Sequence, residues 1–341
     1  MNELPYISVL MPVRNEVDHI ERSLGAVLAQ DYPPDKVEIL VIDGMSTDGT
    51  RGTVLRIKAG RPGLHLLDNP RKSAPSALNI GIRASMGEVV LRVDGHTIIE
   101  PDYIRQCIAV LHRTGASNVG GSMRAEGLTE FGKAVAVVTS SRFGIGGAKF
   151  HYLKEEAIVD TVYMGAWPRS VFEQIGLFDE EMVRNQDDEF NFRLRAKGGK
   201  IVLSPSIRSM YFNRSTPIDL MKQYFQYGFW KIRVLQKHPR QMRIYHFAPL
   251  GLVFGLFLSL NASIFAHKYL VVFASLLVLY AGAGLASVAG LSGLSGLRQR
   301  LSAMSAAPMM HLSYGSGFLI GAIWFAYKWY GFLKEHWLKR L

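Results

Sequence analysis

Cysteine is nearly absent from this sequence, and acidic residues are nearly absent from its second half. Cys107 is the only cysteine, which excludes an internal disulfide and a zinc site built from cysteines. Residues 190–341 contain 19 lysines and arginines but 2 acidic residues, against 20 and 26 in residues 1–189, so the net charges are +17 and −6. A basic half around apolar runs suits an anionic membrane face or phosphate-bearing ligands, and we expect no nucleic acid partner.

The amino terminus lacks a basic region followed by an apolar core. Residues 1–5 therefore show no feature of a secretory signal, and we expect the first domain to stay cytoplasmic. Hydrophobic residues make up 48% of the 341 residues and charged residues 20%. This composition is more apolar than a soluble core requires. Part of the chain should contact lipid, and we expect the protein at the inner (plasma) membrane.

Short β-rich runs alternate with helical patterns in the first hundred residues. The predicted strands are 7–13, 37–43, 64–68 and 88–94, with helices near 16–30, 50–59 and 75–86. This alternation predicts βαβ units, so we expect an α/β domain over residues 1–214 with a mostly parallel sheet flanked by helices. Further patterns predict helices at 128–141 and 187–197, a mobile glycine-rich segment at 144–147, and strands at 200–205 and 207–212.

Thr216 and Pro217 supply a helix cap and a proline at the first helical position, predicting a helix to about His238. Its apolar residues follow helical spacing, and its basic residues, including Lys231 and Arg233, are expected on other faces. Such a helix can lie in the membrane interface, so we expect an amphipathic interfacial helix and linker over residues 215–245. The alternative is a helix packed on the soluble core.

Three apolar stretches follow, at 247–266, 269–291 and 308–327, each long enough to cross about 30 Å of hydrocarbon. We therefore expect a helical transmembrane region over residues 246–341 with about three membrane segments. Three crossings from a cytoplasmic domain would place the basic tail outside, against the positive-inside tendency. The third segment could be re-entrant, the tail could be an interfacial helix anchored by Trp329 and Trp337, or the rule could be broken.

Asp94-Gly95-His96 follows the apolar run 88–93, which places a carboxylate and an imidazole at the end of a predicted strand. Ligands of open α/β sheets bind beyond the carboxyl ends of the strands. The two side chains are therefore candidates for a metal site. Taken alone, the triplet is also typical of a turn that its own side chain caps.

Other motifs follow the neighbouring predicted strands in a fixed order. They are Pro12-Val13-Arg14-Asn15-Glu16, Asp43-Gly44-Met45-Ser46-Thr47-Asp48, and Asn69-Pro70-Arg71-Lys72 with Ala77-Leu78-Asn79. Further along the chain, Gln186-Asp187-Asp188-Glu189 opens the helix predicted at 187–197. With Asp94-Gly95-His96, this ordered set resembles the family 2 inverting glycosyltransferases, which have the GT-A nucleotide-sugar-binding fold. The resemblance covers residues 6 to about 233. The run Arg92 to His96 is most similar to the succinoglycan-type exopolysaccharide glucosyltransferases.

The resemblance implies a donor site for a UDP-sugar. The residues expected to bind this donor are Pro12, Arg14, Glu16, Asp43, Arg71, Lys72, Asn79 and Asp94. A carboxylate such as Asp43 suits ribose hydroxyls and the uracil N–H, and the cations Arg71 and Lys72 suit the diphosphate. Two simpler interpretations stay open: Glu16 could complement a helix N-terminus, and Arg71 and Lys72 could be solvated.

The resemblance also assigns a divalent metal and a catalytic base. Asp94 and His96 match the Asp-X-Asp metal motif of the family, with histidine in place of the second carboxylate. The metal would neutralise the departing diphosphate, and we expect Mn²⁺ or Mg²⁺, since an imidazole favours manganese. Asp187 matches the general base, and Gln186 replaces the glutamate of the family.

The acceptor residues implied by the resemblance are Trp167, which could stack on a sugar or lie in the core, and Asp188. Gln226, Trp230 and Lys231 form a degraded Gln-X-X-Arg-Trp motif in which Phe229 replaces arginine. That replacement weakens the case for processive polymerisation. Lys231 or Arg233 could supply the missing phosphate-binding charge.

We therefore expect a membrane-attached inverting glycosyltransferase of exopolysaccharide or cell-surface glycan assembly. It would transfer a sugar, glucose being favoured, from a UDP-sugar to a polyprenyl-diphosphate-linked oligosaccharide, with membrane lipids as partners. The alternatives are a processive polysaccharide synthase, a polyprenyl-phosphate sugar synthase, and a non-catalytic membrane scaffold of a glycan export complex. The donor sugar, the acceptor linkage and the oligomeric state do not follow from the sequence.

Overall fold

A computed structural model describes residues 3–147, 149–294 and 296–328. The strands are β1 Ile7–Val13, β2 Val37–Asp43, β3 Leu64–Asp68, β4 Val89–Arg92, β5 Thr97–Ile99, β6 Asn118–Glu126, β7 Ala157–Ile158, β8 Tyr163–Pro168 and β9 Ile201–Phe212. The helices are α1 Ile20–Leu28, α2 Thr50–Lys58, α3 Ala74–Ala84, α4 Tyr103–Thr114, α5 Glu130–Thr139, α6 Arg142–Ile145, α7 Ser170–Ile175, α8 Gln186–Ala196, α9 Pro217–Lys237, α10 Ala248–Ala262, α11 Lys268–Ala289 and α12 Gly296–Trp324.

The chain divides into two compact units. Unit 1 comprises residues 1–124 and 149–212, and unit 2 comprises residues 125–148 and 213–341. Residues 125–148, which the sequence pattern placed in the first domain, thus group with the carboxyl-terminal helices.

Unit 1 is built on a sheet with the strand order β3-β2-β1-β4-β8-β6-β9-β5, and β7 pairs with β9. The first four strands are parallel, with Ile7 beside Val37 and Val89. The pairings of β8 with β4 and β6, and of β9 with β5 and β7, are antiparallel. The sheet is therefore mixed, which corrects the expectation of a mostly parallel sheet. The two strands predicted at 200–205 and 207–212 form the single strand β9.

Three of the parallel strands, β1, β2 and β4, are buried on both faces, which explains their nearly continuous apolar runs. Alternate residues of β1 enter two hydrophobic cores: Val9 and Met11 pack on one face of the sheet, and Leu10 packs on the other. The first core includes residues of α1 and α4, and the second includes residues of α3, α7 and α8. Cys107 is fully buried in the first core.

Unit 2 contains a close pairing of α9 with α12. A β-carbon at Gly228 would lie 1.9 Å from the carbonyl oxygen of Tyr314, and one at Gly317 would lie 2.1 Å from that of Phe225. Glycines at these positions let the two helix backbones approach, as small residues do between membrane helices. The start of α9 follows the prediction, because the Thr216 hydroxyl accepts a hydrogen bond from the backbone N–H of Asp219.

Two basic residues of α9 are buried. Lys231 is 5% exposed and Arg233 is 7% exposed, so the faces of α9 that carry these cations are covered. The Arg233 guanidinium donates to the Gln236 side chain and lies 5.6 Å from the ring centre of Phe325. Burial of these cations follows from the α9–α12 pairing, which helical periodicity alone does not show.

One helix of the described residues, α11, is long and apolar enough to cross a membrane, with 22 residues. α10 is apolar but has 15 residues. The third predicted segment, 308–327, lies mostly within the 29-residue helix α12, which contains Pro308. The number of crossings stays a prediction. The anchors proposed at Trp329 and Trp337 lie outside the described residues.

Two glycines of unit 1 give a matched test of the packing. A β-carbon at Gly121 on β6 would lie 1.6 Å from the backbone carbonyl of Ile207 on β9, whereas one at Gly25 in α1 would meet nothing within 4 Å. Gly121→Ala should lower the free energy of unfolding by about 3 kcal/mol. Gly25→Ala should raise it by about 0.5–1 kcal/mol through helix propensity. Thermal and denaturant unfolding measure both, and a Gly121→Ala protein of unchanged stability would contradict the close approach of β6 and β9.

Candidate active site

The candidate active site of unit 1 begins where the parallel strands end. β1 ends at Val13, β2 at Asp43, β3 at Asp68 and β4 at Arg92. Because parallel strands end at one edge of a sheet, the loops that carry the predicted motifs gather at that edge.

A buried arginine joins two of the predicted site residues. The Arg92 Nε donates to Asp94 Oδ1 at 2.6 Å, and its Nη2 donates to Asp94 Oδ2 at 3.2 Å. The Nη1 of the same guanidinium donates to Asp187 Oδ1. The Arg92 side chain is 7% exposed, so one desolvated cation bridges the end of β4 and the first turn of α8.

The electrostatics of this cluster keep Asp94 ionised. Burial alone would raise the pKa of Asp94, but the charges of Arg92 and His96 and the hydrogen bonds of Arg92 and Tyr163 outweigh it and hold the pKa below its usual range. The Tyr163 hydroxyl also lies 2.6 Å from Thr97 Oγ1. Arg92 and Tyr163 therefore both favour the ionised form of Asp94.

The pKa of Asp187 is shifted in the opposite direction from that of Asp94. Burial raises the pKa of Asp187 to about 6, the negative charges of Asp94 and Asp188 add to the rise, and Arg92 opposes it. Its side chain remains 35% exposed, so solvent or a substrate can reach it. A carboxylate with a pKa of about 6 is suited to accept a proton near neutral pH.

His96 is oriented by a carboxylate from the β1 loop. Its Nδ1 lies 2.9 Å from Glu16 Oε1, and its ring meets Tyr211 edge to face at 5.4 Å. A carboxylate on one ring nitrogen is the usual support of a metal-binding histidine, because it leaves the other nitrogen for the metal. Glu16 is thus placed to orient His96.

The loops after β1, β2 and β3 are held in uncommon backbone conformations. Asn15, Met45 and Lys72 have φ angles of 53°, 57° and 59°, as does Asn185 before α8, at 59°. Non-glycine residues in this region cost conformational energy and cluster at functional sites. The first two loops are tied together, because Asn15 N–H donates to Ser46 Oγ at 2.9 Å and Asn15 Oδ1 accepts from Thr47 N–H at 3.0 Å.

Asp43 lies inside this loop structure. Its side chain is 1% exposed, and its carboxylate accepts hydrogen bonds from the Ser46 backbone at 3.1 Å and the Ser46 hydroxyl at 2.5 Å. Arg51 contacts Asp43 at 3.4 Å and Asp68 at 2.5 Å. In this conformation Asp43 orders the β2 loop. A direct contact between Asp43 and a nucleoside would require the Asp43 carboxylate to become exposed.

The remaining donor-site candidates differ in their availability. Arg71 is 73% exposed and pairs with Glu180. Arg14 is also exposed, with its Nη1 3.4 Å from the carbonyl of Lys72.

The side-chain amide of Asn79 forms hydrogen bonds with the backbone of Phe178 and with Glu180, each at 2.9 Å. Asn79 therefore anchors the loop before α8. Pro12 is half-buried in β1, and Asp188 is half-buried beside Asp187.

Trp167 lies in the second core of unit 1, the alternative to an acceptor-sugar contact that the sequence left open. Its side chain is 2% exposed, and its ring centre lies 5.8, 6.1 and 5.9 Å from those of Phe172, Phe178 and Phe190. An aromatic residue on an antiparallel strand faces either the core or a cleft, and its neighbours place this one in the core.

Gln226, Trp230 and Lys231 belong to α9 of unit 2. Gln226 is exposed, Trp230 is half-buried and Lys231 is buried. Trp230 packs 5.6 Å from the ring of Phe325. Their predicted phosphate contact stays a prediction.

The residues at the edge of the sheet fit a divalent cation bound together with a diphosphate. No group of three or more His, Cys, Asp or Glu side chains within the described ranges could hold a metal ion. Asp94 and His96 offer one ionised oxygen ligand and one oriented nitrogen. Mg²⁺ commonly takes one or two protein ligands and completes its shell with phosphate oxygens and water. A carboxylate oxygen that accepts from Arg92 keeps a second lone pair.

The sequence did not single out Arg92, Tyr163 or Glu180. The signal for Arg92 is a charged residue within an apolar run, because a strand buried on both faces tolerates a charge only when that charge is paired. No feature of the sequence identifies Tyr163 or Glu180 as a site residue, since their roles depend on which elements the fold brings together.

Comparison with known proteins agrees with this geometry. Residues 8–176 match the family described as Glycosyl transferase family 2. The chain contains a glycosyltransferase family 2 domain. The resemblance predicted from the ordered motifs is thereby confirmed.

Two relatives cover most of the chain. The succinoglycan biosynthesis protein ExoA of Rhizobium meliloti is 28% identical over 267 residues, which are 74% of this chain and 78% of that protein. The dolichyl N-acetyl-alpha-D-glucosaminyl phosphate 3-beta-D-2,3-diacetamido-2,3-dideoxy-beta-D-glucuronosyltransferase of Methanococcus voltae is 29% identical over 259 residues, 74% of this chain and 80% of that protein.

A solved structure supports the fold. The mannosyltransferase PcManGT of Pyrobaculum calidifontis, in complex with GDP-Man and Mn²⁺, aligns with a TM-score of 0.58 and 20% identity over 94% of this chain and 87% of that one. The GT-A fold predicted from the sequence is confirmed, with a mixed sheet and a carboxyl-terminal helical region.

The placement of Trp167 can be tested directly. Trp167→Ala should lower the free energy of unfolding by about 3–5 kcal/mol, because it opens a cavity among three phenylalanines. Trp167→Phe, which keeps an aromatic ring, should cost less. Denaturant unfolding measures both variants. A Trp167→Ala protein of wild-type stability would instead indicate that the ring lies in an open pocket.

Proposed function

We propose that the chain is a membrane-attached inverting glycosyltransferase that moves a sugar, glucose being favoured, from a UDP-sugar to a polyprenyl-diphosphate-linked oligosaccharide. The observation that carries the proposal is the pairing of two unlike carboxylates on one buried guanidinium. Asp94 is held ionised, whereas the pKa of Asp187 is about 6. Two carboxylates with separated pKa values are suited to different tasks in one reaction.

The donor would lie across the loops after β1, β2 and β3. Arg71 and Lys72 are exposed at the β3 loop, where their charges suit a diphosphate. The mannosyltransferase with the same fold was solved with a nucleotide sugar and Mn²⁺, which supports a nucleotide-sugar donor and a divalent cation. In this proposal, Arg14 and the β2 loop ordered by Asp43 border the nucleoside.

Asp94 and His96 would hold the cation, Mn²⁺ or Mg²⁺. When bound, such a cation neutralises the negative charge that develops on the departing diphosphate. The chain's own contribution is to keep Asp94 ionised through Arg92 and Tyr163, and to orient His96 through Glu16.

Asp187 would act on the acceptor. An acceptor hydroxyl attacks the anomeric carbon while its proton passes to the Asp187 carboxylate. The new carbon–oxygen bond forms as the bond to the diphosphate breaks, so the configuration at that carbon inverts. The exposed fraction of Asp187 allows an acceptor to reach it, and Asp188 beside it would contact the acceptor.

Three observations support a lipid-linked acceptor and attachment to the cytoplasmic face of the plasma membrane. α11 is long and apolar enough to cross a membrane. The Methanococcus relative is named for a dolichyl-linked sugar phosphate, and the Rhizobium relative for succinoglycan biosynthesis. The excess of basic residues after residue 189 suits anionic lipid headgroups. These features support a role of the proposed reaction in exopolysaccharide or cell-surface glycan assembly.

The proposal is tested by turnover of a panel of UDP-sugars by purified protein with Mn²⁺ and a mixed pool of polyprenyl-linked acceptors. One sugar should be added per acceptor, with UDP released. Extended polymers would indicate a processive synthase, and the absence of any turnover would favour a non-catalytic scaffold.

Asp187→Asn should lower kcat by about 10²–10⁴-fold, because an amide cannot accept the hydroxyl proton. Glu173→Gln, at an exposed acidic position on α7, is the control and should leave kcat unchanged. In the wild-type protein, kcat should fall as pH drops through about 6, since the raised pKa of Asp187 protonates the base there. Steady-state kinetics from pH 5 to 8 measure both effects.

Full activity of Asp187→Asn would contradict the base assignment. It would favour a polyprenyl-phosphate sugar synthase instead, because a phosphate acceptor carries no hydroxyl that must be deprotonated.

A further inference from the structure

The buried guanidinium at the end of β4 carries an inference that rests on the proposed function. We propose that Arg92 is a positioning residue that holds the catalytic base Asp187 at a fixed place relative to the donor-side carboxylate Asp94. Its own side chain would contact neither substrate.

The planar guanidinium of Arg92 donates hydrogen bonds to two different carboxylates. Nε and Nη2 bind the two oxygens of Asp94, and Nη1 binds Asp187. An arginine can direct donors to two carboxylates at fixed angles, whereas a lysine ammonium is a single point charge. Arg92 is anchored in β4, between β1 and β8. The distance between the two carboxylates is therefore set by a rigid strand and a rigid fork.

The two carboxylates depend on Arg92 to different degrees. Asp94 lies two residues after the end of β4, and its backbone carbonyl also accepts a hydrogen bond from the Thr97 N–H at 3.0 Å. Asp187 sits in the first turn of α8, after the left-handed residue Asn185, and its side chain is 35% exposed. Loss of the guanidinium fork should thus misplace the base more than the donor-side carboxylate.

This asymmetry predicts a separation of kcat from donor binding. In the full chain, Arg92→Lys keeps the charge but loses the fork, and kcat should fall at least tenfold, while the Kd for UDP with Mn²⁺ changes less than threefold. Arg92→Gln should lower kcat further. Arg193→Lys is the matched control, because Arg193 is a forked arginine of α8 that binds Glu189 and two backbone carbonyls. It should leave kcat within twofold of wild type.

A double-mutant cycle tests whether Arg92 acts through Asp187. In an Asp187→Asn background, Arg92→Lys should cause little further loss of kcat, because the base is already absent. Losses that multiply in the double variant would overturn the inference, as would wild-type kcat in Arg92→Lys. Thermal unfolding identifies variants that fail to fold. If Arg92→Gln does not fold, Arg92→Lys decides the question.

The outcome also separates this inference from the proposed function. Wild-type turnover together with an unaffected Arg92→Lys overturns the inference alone. A wild-type protein that neither binds UDP nor consumes any UDP-sugar overturns the proposed function, and the role of Arg92 falls with it.

Discussion

The site depends on one physical constraint: a guanidinium placed inside a sheet must be neutralised. Arg92 ends a strand that is buried on both faces, and its side chain is 7% exposed. An unpaired charge there would be strongly destabilising. Two carboxylates meet this requirement, one from the residue two positions further along the chain and one from α8. Neutralising the arginine therefore brings together the acidic side chains that our proposal uses for leaving-group and acceptor chemistry.

The mixed sheet makes this arrangement possible. Its parallel half gathers the loops after β1, β2 and β3 at one edge, where Glu16 meets His96. Its antiparallel half places β8 beside β4, and Tyr163 of β8 helps to lower the pKa of Asp94. Asp94 thus gains support that lies far away in the sequence. The same environment moves the pKa values of the two acids apart. Hydrogen bonds and a cation lower the pKa of Asp94, whereas burial and neighbouring negative charges raise the pKa of Asp187.

The parallel half could be predicted closely from the sequence. Its first three strands match the predicted ranges. β1 and β2 are mainly apolar runs that are buried on both faces, and the ordered motifs indicated the family. The antiparallel half could not be predicted, because the pairing of β8 between β4 and β6 joins residues about 40 to 80 positions apart. For the same reason the sequence could not decide whether Trp167 lies in the core, or show that Lys231 is buried: periodicity shows that a face is apolar, but not what covers it. Arg92 does leave a signal in the sequence, as a charge within an apolar run.

We propose that Asp94 serves the donor and Asp187 the acceptor, although one arginine holds both. Calorimetric titration of UDP into the full-length protein with Mn²⁺ tests this division without requiring knowledge of the acceptor. Wild type and Asp187→Asn should bind UDP with similar affinity, whereas Asp94→Ala should lose detectable binding. Wild-type affinity in Asp94→Ala, or an equal loss in Asp187→Asn, would contradict the account.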